Sequence, residues 1–144
     1  MKLAIVYLAA LGFLVTACAH EVAILGVVLG GEGLVTTYFA GAIILFFPTG
    51  FMLSRRYPRL GTKFTWQDVL ADCPRPIRVL FYAAFLYAFA NFAFLWGHGV
   101  KTSHRSGEPL TAATARGLSG HAMVFHMAAL AIMLSLHRAE KKNA

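Results

Sequence analysis

In 144 residues, 58% of the side chains are hydrophobic and only 13% are charged, about half the charged fraction of an ordinary soluble domain. That composition excludes a conventional water-soluble globule, and the length leaves no room for a separate soluble domain beside several apolar segments. The net charge of +7 comes from basic residues in short segments between apolar stretches, not from one soluble basic face, which points to anionic lipid headgroups and away from nucleic acid.

The first apolar stretch begins at Leu3, is interrupted by His20 and Glu21, and resumes at Val22, predicting a helix over about 3–29. Gly26 and Gly30 match the GxxxG spacing that lets helices approach closely, and Gly30-Gly31-Glu32-Gly33 reads as a turn. Val15-Thr16-Ala17-Cys18 resembles the lipobox at which bacterial lipoproteins are cleaved and acylated. Cleavage there would leave three spans instead of four. A second helix is expected over about 34–53, with Pro48 kinking it because proline removes the amide that would bond the Ile44 carbonyl.

The segment 54–76 is the least apolar part of the chain, and its Arg55, Arg56, Arg59 and Lys63 form a basic cluster suited to headgroups. Thr65-Trp66-Gln67-Asp68 can start a short helix, with Thr65 as its cap and Trp66, Val69 and Leu70 in the interface. Cys73-Pro74-Arg75-Pro76 then opens a third helix over about 77–96, since proline fits a first turn. Phe81, Phe85, Phe89, Phe92 and Trp96 recur along one stripe of it, and Ala84, Ala88 and Asn91 along another. Small residues and an amide belong against other helices, so Asn91 is expected in the bundle interior and the aromatic stripe mainly toward lipid. After a loop over 97–117, a fourth helix is expected over about 118–136, carrying a second interior polar candidate, His126.

Stretches of about 20 apolar residues match the thickness of a bilayer, and backbone groups left unpaired in hydrocarbon are too costly, so these segments should be helices. The expected fold is all-α, a single integral membrane domain of four transmembrane helices. Four crossings put both termini on one side with Lys2, Arg55, Arg56, Arg59, Lys63, Arg75, Arg78, Arg138, Lys141 and Lys142, and leave Lys101, Arg105 and Arg116 on the other. Ten against three places both termini in the cytoplasm. Cys18 and Cys73 then lie on opposite sides and cannot pair.

The sharpest chemical hypothesis lies with the histidines. His20, His98, His104 and His121 all fall on the outer side, with Glu21, Glu32 and Glu108, a ligand set suited to a transition metal. A b-type haem needs one axial ligand from each of two helices, and His98 and His121 come at similar depth. His126 lies roughly 140° around the helix from His121, so those two cannot share a small site. Hydrogen bonding between His126 and Asn91 is the plain structural alternative to chemistry. Catalytic serine triads, phosphate-cradling loops and CxxC motifs are missing.

Arg116-Gly117-Leu118-Ser119-Gly120-His121-Ala122-Met123-Val124-Phe125 resembles the last-helix segment of small uncharacterised bacterial inner-membrane proteins, as R-G-x-S-G-H-x-M-x-F. The resemblance implies a bacterial inner-membrane location but no activity. The expected role is a non-enzymatic accessory or structural subunit, packing against lipid, a membrane-protein partner or a second copy. A haem- or metal-binding redox subunit and a small transporter or channel stand as alternatives.

Overall fold

Helix is the regular structure throughout the computed structural model, which describes residues 2–56, 65–98 and 111–143. Its elements are α1 (Lys2–Ile24), α2 (Gly31–Arg56), the short α3 (Trp66–Val69), α4 (Arg75–Gly97) and α5 (Ala112–Asn143). The fold is therefore an all-α bundle, and α1, α2, α4 and α5 are each long and apolar enough to cross a membrane. Large hydrophobic side chains such as Tyr7, Phe47, Phe89 and Trp96 lie exposed around its circumference, as a membrane protein permits and a soluble monomer rarely does.

The helix boundaries differ from the periodicity-based expectation at several ends, and α2 covers Gly31–Arg56 instead of 34–53, so that of the expected Gly30 to Gly33 turn all but Gly30 lies inside the helix. α1 stops at Ile24 instead of running to residue 29, because Gly26 and Gly30 adopt φ of +84° and +68°. That left-handed backbone is cheap only for glycine and ends a helix, so the GxxxG pair shapes a turn and does not form a packing face. α5 begins at Ala112, before the apolar run, because Thr111 accepts from the Thr114 amide at 3.1 Å and meets its hydroxyl at 2.9 Å. It continues to Asn143, with Lys141 and Lys142 complementing the helix dipole in the last turn. α2 runs through Pro48 as one helix, and next to it the Thr49 hydroxyl donates to the Leu45 carbonyl at 2.8 Å.

Short α3 shows the expected cap in full. The Asp68 carboxylate accepts from the Thr65 amide at 2.9 Å and hydroxyl at 2.8 Å, while the Thr65 hydroxyl accepts from the Asp68 amide at 3.4 Å. One expectation is corrected: Val69 and Leu70 do not sit in the interface but are fully buried in the core, and Trp66 alone remains exposed, tilted against Phe81. This turn plugs one end of the bundle.

α5 is the axis on which the others pack. Its span is 72% buried against 22–33% for the other three, and α1, α2 and α4 each lie against it. One core cluster joins Ile5 and Ala9 of α1 with Leu53 of α2, Phe81 of α4 and Leu136 of α5. A second joins Ala19 and Ala23 of α1 with Val35 and Tyr38 of α2 and Ala115 and Ala122 of α5. Helix starts meet helix ends in both, so the helices run up and down alternately and both chain termini share one end. Alanines line much of α5, including Ala122, Ala129 and Ala131 at no exposure, which lets three helices approach a single one.

Candidate functional site

The buried polar side chains concentrate at the end of the bundle away from the termini. Ser119 is fully buried on α5, and its hydroxyl donates to the Ala115 carbonyl at 2.7 Å. With that proton committed, the Ser119 oxygen accepts from His20 Nδ1 at 3.0 Å. The proton on Nδ1 leaves Nε2 as an acceptor, and it receives the Tyr87 hydroxyl at 2.9 Å. Tyr87 also meets the His20 ring edge-on, with centroids 5.5 Å apart. Tyr38 of α2, buried as well, faces Ser119. One imidazole thus ties α1 to α4 and α5.

A second pair lies beside it. Asn91 is buried on α4, as its stripe of small neighbours implied, and its Oδ1 accepts from Arg116 Nε at 2.6 Å. The Arg116 guanidinium sits 5.4 Å from the centre of the Phe94 ring. Arg116 therefore belongs to α5 and the bundle, not to a loop. Gly120 makes the crowding possible: a Cβ there would stand 3.3 Å from His20 Cε1 and 3.5 Å from Asn91 Nδ2. Every buried side-chain nitrogen and oxygen among the described residues has a hydrogen-bond partner.

Deeper in the bundle, His126 is buried and donates from Nδ1 to the Ala122 carbonyl at 2.8 Å. It does not bond Asn91. Its ring lies against Gly12 of α1, where a Cβ would overlap it.

The described outer histidines, His20, His98 and His121, do not converge. His20 has both ring nitrogens engaged and offers no lone pair to a metal. His98 donates to the Phe94 carbonyl at 2.8 Å and stacks on Phe94. His121 donates to the Gly117 carbonyl at 2.7 Å and meets Phe92 edge-on. Phe92 and Phe94 point roughly 200° apart around α4, so the histidines expected to bracket a haem occupy different sides of that helix. Among the described residues no group of three or more His, Cys, Asp and Glu side chains could hold a metal ion. His104, the fourth metal candidate, lies outside the described residues.

At the opposite end, Arg55 and Arg56 close α2 exposed, Arg55 lying over the Phe51 ring at 4.6 Å. Arg59 and Lys63, the other headgroup candidates, lie outside the described residues. Lys142 pairs with Asp72 beside Arg138 and Lys141. Cys18 and Cys73 are both free thiols. Burial pushes the Cys73 thiol up to about 11, against the opposing pull of Arg78 and Arg138.

No family model, curated protein or solved structure matches this chain. The site must therefore speak for itself. Tyr38 and Tyr87 went unnoticed in the sequence because they sit among so many aromatics, and Arg116 was read only as an outer-side charge and the start of a motif, not as a partner of Asn91. Tyr87 precedes Asn91 by four residues and follows Ala84 by three, a spacing that puts it beside the inward stripe.

Proposed function

We propose that this chain is a non-enzymatic accessory or structural subunit of a bacterial inner membrane, with both termini in the cytoplasm. The observation that carries the reading is the use made of the buried polar groups. His20, Ser119, Asn91 and His126 are spent on helix-to-helix and helix-to-backbone bonds. Interhelical bonds of this kind act as structural glue in a bilayer.

The packing surface is supplied by α4. It rests on α5 alone among the major helix contacts, and Phe85, Phe89, Phe94 and Trp96 face outward. The location and orientation rest on the ten-to-three distribution of basic residues and on the resemblance of the segment from Arg116 to Phe125. Native purification in mild detergent tests the role: a stoichiometric membrane-protein companion released by charged substitutions at Phe89 and Trp96 is expected. A chain that purifies alone and catalyses a reaction requiring Ser119 or His20 would end this reading.

A further inference from the structure

A cleft of about 400 Å³ opens between α4 and α5, walled by Phe85, Phe89 and Phe92 on one side and Phe125 and His121 on the other. Its lining is apolar apart from one imidazole. The Nδ1 proton of His121 is committed to the Gly117 carbonyl at 2.7 Å, so in the neutral ring Nε2 is a bare acceptor. It makes no hydrogen bond to any described residue. Phe92, which touches the His121 ring, stands one turn, roughly 6 Å, below the exposed Trp96. Tryptophan favours the membrane boundary, which puts the His121 acceptor on the hydrocarbon side of it. A polar atom left unpaired there is costly, and such groups mark pathways or ligands in membrane helices.

Several requirements converge on one occupant. It must donate a hydrogen bond, because Nε2 can only accept. It must be flat and apolar, because its walls are phenyl rings that favour stacked and edge-on partners. It must arrive through the bilayer, because the cleft lies between two membrane-length helices. We propose that the cleft binds a membrane-dissolved aromatic amphiphile bearing a ring hydroxyl, of the prenylated hydroquinone class. The hydroxyl donates to His121 Nε2 and the ring lodges among Phe85, Phe89, Phe92 and Phe125. The oxidised quinone carries only acceptors and is discriminated against, since the His121 donor is already taken. No redox step is assigned to the chain. The inference rests on the membrane placement; it shares Phe85 and Phe89 with the face offered to a partner, and titration of the isolated chain tests it separately from the accessory role.

The test uses the full chain in phosphatidylcholine nanodiscs, titrated with a short-chain prenylated hydroquinone under reducing conditions, with its quinone, and with its dimethyl ether. Binding is read in every sample from the ring resonances of Phe89 and Phe92, which line the cleft, and the hydrogen bond from the nitrogen resonance of His121 Nε2 in the unaltered chain. A saturable shift with the hydroquinone is expected, at least tenfold weaker for the quinone and for the ether, and lost in His121→Leu. His121 is exposed, so that variant should fold; if it does not, the comparison of the three ligands on the unaltered chain still decides. Equal binding of all three ligands would reduce the cleft to an apolar lipid slot and overturn the proposal. So would undiminished binding by a folded His121→Leu, a His121-dependent Soret band on adding haemin, or cross-links showing a second copy seated in the cleft.

Discussion

Gly12 and His126 mark a close approach of α1 to α5, with a buried ring occupying the space that a glycine side chain leaves open. Gly12→Val drives a branched side chain into that ring, and overpacking of this kind costs about 1–3 kcal/mol. A lower unfolding midpoint in detergent is expected for it, with much of the loss recovered in Gly12→Val/His126→Ala, because the double variant restores the volume. At the end of the bundle away from the termini, His20→Ala strips the Tyr87 hydroxyl and the Ser119 oxygen of their shared partner. A loss of about 1–3 kcal/mol is expected from an abandoned buried network, and Tyr87→Phe should cost less once His20 is already gone. Additive losses in equilibrium unfolding would show that the two do not cooperate. Cys73 offers a chemical probe of the terminal end. Its folded thiol is raised from 9.0 to about 11 by burial, so at pH 8 roughly 100-fold fewer molecules carry the reactive thiolate than in the unfolded chain. The sign follows: the contribution to stability is intact below pH 9 and is lost as pH rises through about 11. Maleimide labelling of Cys73 should therefore be slow at pH 8 and accelerate when the bundle is unfolded. Asn91 was legible among these residues because its neighbours one turn away are small. The partner of His126 was not, because a histidine can satisfy its Nδ1 proton on its own helix and needs no amide across the bundle.

The helices owe their existence to hydropathy and their limits to local chemistry. All four long spans could be placed from apolar run length alone, which is the strongest signal a membrane chain carries. Their ends could not, since the glycines at 26 and 30 lie inside an apolar run and Ala112 to Gly117 outside one. Thr111 was a readable cap that the hydropathy window passed over. The short α3 illustrates the reverse, a cap recognised and a docking partner missed. Thr65 holds the Asp68 carboxyl below its usual range by donating from its amide and hydroxyl. A carboxyl depressed in this way contributes stability above its unfolded value near pH 4, and the contribution fades as pH falls through the lower folded value. Hydrogen exchange at the Val69 and Leu70 amides should accordingly quicken below about pH 4 while α5 stays protected. Thr65→Ala should produce the same local opening at neutral pH. If exchange at Val69 is indifferent to both, the cap does not hold α3 in the core.

For the molecule as a whole, the arrangement of charge decides how it sits. Alternating helices bring Arg55, Arg56, Arg75, Arg78, Arg138, Lys141 and Lys142 to the end that also holds both termini. Arg116 is the described basic residue at the other end, and its guanidinium is turned inward to Asn91, so it adds little to the outer surface. The asymmetry is thus sharper than a count of residues suggests. Cytoplasmic retention of positive charge depends on residues near the ends of spans, which α2, α4 and α5 supply together. Reporters fused after Lys63 and after Glu108 should give opposite signals, the first cytoplasmic. Replacing Arg55, Arg56, Arg75 and Arg78 with glutamine removes four of the six cations between the second and third spans, leaving Arg59, Lys63 and those of α5. A mixed population is then expected, with a measurable fraction of the Lys63 reporter exported, while Arg116→Gln should leave orientation unchanged and lower stability through Asn91. Equal signals from both fusions in the unaltered chain would mean that a span does not cross, and the up-and-down bundle would have to be abandoned for the membrane-inserted protein.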